Sequence, residues 1–210
     1  IGQGEILTTP IQLANMIATV ANKGFYYTPH IIKKIDGQKI DAKYTTKHVT
    51  TIDPKYYPPM ISGLLDVYRR GTARALRVPN IDICGKTGTA ENYARVGTRR
   101  IKMRDHSIFV AFAPMEDPQI AIAVLVENGG FGATIAGPIV SLMVEKYIKK
   151  KITLKRFETR IKNTSLQSQY ARFVVKKIDS TRVDSSKIEL PDFKKIAKEI
   201  AKDSIENHWF

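Results

Sequence analysis

Ile81-Asp82-Ile83-Cys84-Gly85-Lys86-Thr87-Gly88-Thr89-Ala90 is the stretch on which the fold turns. Its apolar, β-branched start and polar, Gly-containing end read as a strand with a polar end. Two more strand-like runs follow, His106 to Ala113 and Ile120 to Glu127. Met115-Glu116-Asp117-Pro118 between them is a turn signal, so these two runs are expected to pair as antiparallel neighbours. Between the first two runs lies Asn92 to Asp105, with Arg95, Arg99, Arg100, Lys102 and Arg104. It reads as a solvated, mobile connection rather than a ligand-binding element.

Upstream, Thr9-Pro10-Ile11-Gln12 carries a helix start: Thr9 as cap, Pro10 at the first helical position, Gln12 completing a capping box. The helix should run to about Asn22, with Gly24 ending it. Ile11, Leu13, Ala14, Ile17, Ala18, Val20 and Ala21 make it apolar nearly all round, which predicts a buried helix. Phe25 to Asp53 reads as loop with short strands. Pro58-Pro59 opens a second helix, with Ile61, Leu64, Leu65 and Tyr68 on one face and Gly71 at its close. After the flexible Asn128-Gly129-Gly130-Phe131-Gly132, the residues Ile135, Ile139, Leu142, Met143 and Tyr147 predict a helix to about Lys150. Two helices, a three-strand meander and a helix make an α+β arrangement, with helices packed on an antiparallel sheet.

The composition shifts at Lys149-Lys150-Lys151. Residues 151–210 are Lys-rich and end in an expected amphipathic helix over 191–208, with Phe193, Ile196, Ala197, Ile200 and Ala201 on one face. Asp192, Glu199, Asp203 and Glu206 dilute its basic face, which favours docking on the protein over a membrane surface.

With 210 residues and 43% hydrophobic composition, the chain can build a real core. Its apolar runs fall far short of the ~20 residues that cross a bilayer. The first residue is Ile1, and no leader-like segment follows it, so the sequence reads as a piece of a longer polypeptide whose anchor would lie upstream. The single cysteine, Cys84, has no partner for an internal disulfide and sits in an apolar run, as a small core residue does. There is no Cys/His cluster with metal-ligand spacing, and neither metal nor cofactor is expected. The net charge of +14 points to an anionic neighbour. Without a zinc finger, RNP-type aromatic motif or phosphate loop, nucleic acid is the weaker choice.

Lys-Thr-Gly alone is a weak signal, but its context is specific. The run Ile83 to Ala90, then Asp105-His106-Ser107 to Pro114, then Glu127-Asn128-Gly129-Gly130 before a last helix, closely resembles the C-terminal half of class B penicillin-binding proteins. Ile1-Gly2-Gln3-Gly4-Glu5 with Thr9-Pro10-Ile11-Gln12 is similar to that family's approach to a core helix. The resemblance covers about residues 1–148. Glu-Asn-Gly-Gly resembles the elongation-type members (penicillin-binding protein 2) more than the division-type ones.

The resemblance implies a partial penicillin-binding and serine β-lactamase-like domain. Residues 1–150 would be the C-terminal part of a transpeptidase domain and 151–210 a basic extension. It implies a peptidoglycan D,D-transpeptidase that cross-links cell-wall peptides through a Ser acyl-enzyme. Partners would be peptidoglycan stem peptides, β-lactam antibiotics and the elongation machinery with its membrane glycosyltransferase, at the periplasmic side of the inner membrane. A penicillin-sensing or scaffolding domain and a β-lactamase relative are the alternatives. Within that frame Lys86 offers a fixed ammonium for anions, Thr87 and Thr89 hydroxyls can donate to the substrate carboxylate, and Gly88 lets a peptide lie close. The backbone N–H of Thr89 would be one oxyanion donor. The family's Ser-x-x-Lys and Ser-x-Asn motifs are missing: none of Ser62, Ser107, Ser141, Ser165, Ser168, Ser180, Ser185, Ser186 and Ser204 has Lys three or Asn two positions on. The nucleophile is therefore expected elsewhere, and this stretch alone is expected to be inactive. Asp105 and His106, adjacent and so directed to opposite faces, are expected to be structural.

Overall fold

The computed structural model describes residues 3–32, 34–96 and 98–170. The elements in chain order are α1 (Pro10–Ala21), β1 (Phe25–Tyr26), α2 (Ala42–Thr45), β2 (His48–Val49), α3 (Tyr57–Arg69), β3 (Cys84–Ala90), β4 (Tyr93–Val96), β5 (Arg99–Lys102), β6 (His106–Ala113), β7 (Ile120–Val126), α4 (Ala136–Lys149) and α5 (Lys155–Lys162). The helix expected over 191–208 lies outside the described residues. Among the described residues no helix is long and apolar enough to cross a membrane.

The centre is an antiparallel sheet in the order β3-β6-β7. Cys84 lies opposite Phe112 and Ala90 opposite His106; Ser107 lies opposite Val126 and Ala113 opposite Ile120. The middle strand is apolar on both faces because both are covered, and Phe109, Ala111, Phe112 and Ala113 are fully buried. Alternation sends Phe109, Ala111 and Ala113 to one face, where they meet Ile122, Ala136, Val140 and Val144. Val110, Phe112 and Cys84 point to the other, against Ile17 and Ala21 of α1 and Ile61 and Leu65 of α3. Truncating either phenylalanine to Ala would cost about 3–5 kcal/mol. Helices on both faces of an antiparallel sheet give the α+β class that the sequence predicts.

Local signals explain where the helices start and stop. The Thr9 hydroxyl accepts from Gln12 N–H at 3.4 Å, and the Gln12 side chain accepts from Thr9 N–H at 2.8 Å, a complete capping box. Gly24, at φ +112°, turns the chain out of α1, and a Cβ there would meet the Tyr57 ring at 3.0 Å. Gly71 ends α3 by donating to Asp66 O at 2.8 Å. A side chain at 71 would press on Val67 Cα at 2.8 Å.

Three expectations need correction. Helix α1 is not buried all round: Ile11 and Met16 are 58% and 49% exposed, because only one of its sides meets the sheet. In α4 the face that packs is carried by Val140 and Val144, whereas Met143 and Tyr147 are about half exposed. The connection over 92–105 is not irregular but a β-hairpin, β4 paired with β5.

Past α4 the chain stays on the same core. Leu154 and Phe157 pack against the α4 side of the sheet, and Glu145, with a side chain 0% exposed, holds the connection. Its carboxylate accepts from Thr153 N–H at 2.8 Å, from Leu154 N–H at 3.2 Å and from the Thr153 hydroxyl, with the Lys149 ammonium at 3.5 Å. Burial pushes this carboxyl's pKa up, but the Thr153 and Leu154 hydrogen bonds and Lys149 outweigh it, and the net direction is down from the ordinary 4.5. A depressed carboxyl stabilises the fold fully above its ordinary value and loses that contribution as pH falls through the folded one. Glu145→Ala is expected to cost about 3 kcal/mol at neutral pH, since it strands buried donors. In denaturant melts the gap between wild type and Glu145→Ala should narrow steadily once pH drops below 4.5.

Candidate substrate-binding strand

Strand β3 pairs with β6 on one side only, so among the described residues its other edge is open. In an antiparallel pair, residues alternate between those that exchange both backbone bonds with the partner strand and those turned outward. Thr87 O accepts from the Lys86 ammonium at 2.8 Å, which fits Thr87 in the outward set. The two-residue period then puts Thr89 there as well, with its N–H on the open edge. This is the arrangement an extended peptide needs for adding itself as a further strand.

The side chains predicted from sequence cluster on this strand. Lys86 is exposed, and its ammonium lies 3.4 Å from the Thr87 hydroxyl oxygen. The Thr87 hydroxyl is also 3.3 Å from that of Thr72, a residue the sequence reading did not single out. Thr72 arrives from the loop after α3, fixed between the tight Gly71 turn and Ala73, which is fully buried and donates to Val67 O at 3.0 Å. Nothing in the spacing of Thr72 and Thr87 announces this contact; it exists because α3 packs beside β3.

Thr89 faces the segment 128–132. Its hydroxyl oxygen accepts from Gly132 N–H at 3.4 Å and keeps its own proton free to donate. Gly132 lies so close to the strand that a Cβ there would sit 2.4 Å from Ile108 O and 2.6 Å from Gly88 O. Gly88 in turn has Ile108 beneath it, 3.2 Å from where a Cβ would be. Two glycines thus allow one backbone to rest on another, and the outer face of the strand end is set by that contact.

Behind the strand, polar groups hold the 128–132 segment. Buried Ser107 donates to Phe131 O at 2.9 Å and accepts from Ala136 N–H at 3.1 Å, which serves the first turn of α4. His106 Nδ1 accepts from Asn128 N–H at 3.1 Å, and Asn92 donates to the Asn128 side chain at 2.7 Å. Asp105 pairs with Lys102 at 2.8 Å, a contact that holds its carboxyl below the usual range. Asp105 and His106 therefore serve separate structural contacts and do not form a pair. Cys84 is fully buried; burial, with the charge of Asp82, pushes its thiol up to about 12, so it is a core residue and not a nucleophile.

The site is an open strand edge and not a closed cavity. Two hollows of about 600 and 760 Å³ lie elsewhere, one between α3 and residues 77–83 and one within residues 29–44.

Comparison with known proteins gives a consistent pattern. The family model of the penicillin binding protein transpeptidase domain matches residues 1–145. The peptidoglycan D,D-transpeptidase MrdA of Acinetobacter baumannii is 36% identical over 152 residues, covering 65% of this chain and 22% of that protein. The crystal structure of Pseudomonas aeruginosa PBP2 in complex with WCK 5153 superposes with a TM-score of 0.58 at 41% identity, covering 70% of this chain and 32% of that one. Penicillin-binding protein A of M. tuberculosis, solved as a ceftriaxone acyl-enzyme, gives 0.58 at 29% identity, with 70% and 34% covered. The chain spans less than a third of the length of the curated relatives it matches.

Replacing Gly132 by Ala is expected to destabilise the fold by about 1–3 kcal/mol, because the backbone atoms it strikes cannot swing aside. Gly63→Ala, in α3 with nothing within 4 Å of the added Cβ, should be neutral or stabilising by up to about 1 kcal/mol. Chemical denaturation midpoints of the two variants check the contrast.

Proposed function

Because this chain belongs to the penicillin-binding protein transpeptidase family, we propose that it forms one wall of a peptidoglycan D,D-transpeptidase site and that the serine nucleophile is supplied by a preceding part of the same polypeptide. The observation that carries this reading is the open edge of β3 with Lys86, Thr87, Gly88 and Thr89 along it. The curated relatives bear the name peptidoglycan D,D-transpeptidase, which supports the reaction class. The Glu127-Asn128-Gly129-Gly130 ending, similar to elongation-type members of the family, assigns the longer protein to cell-wall elongation, beside a membrane glycosyltransferase at the periplasmic face of the inner membrane.

In this reading a stem peptide ending in D-alanyl-D-alanine lies along β3 as an added strand. The Thr87 and Thr89 hydroxyls donate to its terminal carboxylate, and the Lys86 ammonium supplies the positive field beside them. Thr72 fixes the Thr87 hydroxyl from behind. The serine oxygen bonds to the penultimate carbonyl carbon, and the carbonyl oxygen becomes an oxyanion that the Thr89 N–H stabilises together with the nucleophile's own N–H. When the peptide bond breaks, the departing D-alanine amine takes up the proton released by the serine. An amine from a second stem peptide then attacks the ester, the cross-link forms and the serine regains a proton. β-Lactams enter the same edge and acylate the same serine; that the M. tuberculosis protein forms a ceftriaxone acyl-enzyme supports covalent capture of this class of drug.

Residues 1–210 by themselves are expected to show no covalent labelling by a fluorescent penicillin, whereas the longer protein that includes the Ser-x-x-Lys segment should label stoichiometrically. In that longer protein Lys86→Ala is expected to slow acylation about 100-fold or more, on the scale of losing one oriented electrostatic group. Thr87→Val, which keeps the shape and removes the hydroxyl, should slow it about tenfold. Stoichiometric labelling of the 210-residue chain would sink the division of roles proposed here.

A further inference from the structure

Two residues, Glu91 and Asn92, separate the end of β3 from the β4–β5 hairpin, whose base is fixed. Glu91 N–H donates to the Gln3 side chain at 2.7 Å, which donates back to Glu91 O at 3.2 Å. Met103 N–H donates to Asn92 O at 2.9 Å. Lys102 bridges Glu91 at 3.3 Å and Asp105 at 2.8 Å, so both acids of this region are engaged by the one lysine.

The pairing register puts Tyr93, Arg95, Arg100 and Lys102 on one face, with Tyr93 opposite Lys102 and Arg95 opposite Arg100. The Arg100 guanidinium lies 3.7 Å from the Tyr93 ring centre, which orients it without neutralising it. Arg95 and Arg100 are exposed, and among the described residues neither has a carboxylate at ion-pair distance. Like charges directly across a strand pair are destabilising. An anion seated between these two guanidiniums removes that repulsion and meets two planar donor forks.

We propose that the Tyr93, Arg95 and Arg100 face is a subsite for a carboxylate carried by the peptide substrate on the N-terminal side of its D-alanyl-D-alanine end. The inference rests on the transpeptidase reading given above. With the terminal carboxylate at Thr87 and the reacting carbonyl at Thr89, the rest of an extended peptide runs on past Ala90. At about 3.4 Å per residue it reaches the hairpin within two or three residues. The hairpin thereby reads a second acidic group of the donor peptide, separate from the carboxylate of its D-alanyl-D-alanine end.

The test uses the full-length transpeptidase that contains this chain, with two synthetic peptides that differ in one group: acetyl-Glu-Lys-D-Ala-D-Ala and acetyl-Gln-Lys-D-Ala-D-Ala. Release of D-alanine gives KM and kcat, and a fluorescent penicillin gives acylation without any upstream carboxylate. The double variant R95Q/R100Q is expected to raise KM for the Glu peptide about tenfold, to leave the Gln peptide within twofold, and to leave penicillin acylation unchanged. R99Q removes a single positive charge from the opposite face of the hairpin and should change none of the three. Equal losses for both peptides, no loss for either, or the same loss with R99Q would overturn the subsite, the last by showing attraction to bulk charge alone. A wild-type protein that penicillin does not acylate would overturn the transpeptidase reading itself; normal acylation without peptide discrimination would overturn only the hairpin's role.

Discussion

The burial of β6 on both faces is the constraint that organises the rest. A strand that must satisfy two apolar layers has no freedom of register: a one-residue slip would exchange Phe109 with Val110 and put each against the wrong helix. That fixed register is transmitted to β3 residue by residue, Thr87 against Phe109 and Thr89 against Ser107. The polar half of β3 is thus positioned by the apolar half of its neighbour. Ser107 continues the logic at the strand's start, where a buried hydroxyl joins β6 to the 128–132 segment and to the first turn of α4.

Where the sequence carried periodicity or a capping signal, the fold could be read from it. The three central strands have runs of alternating or continuous apolar residues, and the Thr9 and Gln12 capping box is a local interaction that needs no partner from elsewhere. The hairpin escaped notice although its alternation was present: Tyr93 and Arg95 face one way and Ala94 the other, as Arg100 and Lys102 oppose Ile101. Long basic side chains at every second position look like a solvated stretch, and the small Ala94 gives little apolar contrast. The burial of Glu145 was hidden for another reason. Its donors Thr153 and Leu154 lie beyond the helix end, and only the reversal of the chain at Lys150, with φ of 61°, brings them back.

The candidate site divides in the same way. Lys86 to Thr89 are contiguous, so a motif could reveal them. Thr72 and Gly132 take part through contacts that cross the chain, and each is placed by packing: Thr72 by the seating of α3 on β3, Gly132 by the absence of a side chain where two backbones meet. A reading by motif finds the contiguous candidates on one strand and misses the residues that packing brings up against them.

The open edge of β3 has a consequence for the chain as a physical object. A row of unpaired N–H and C=O groups that accepts one extended peptide accepts any other, including the same edge of a second copy. Recognition and self-association thus draw on a single property, the readiness of a strand to template its neighbour. The Lys86 charge acts as its gatekeeper, since it repels a like edge.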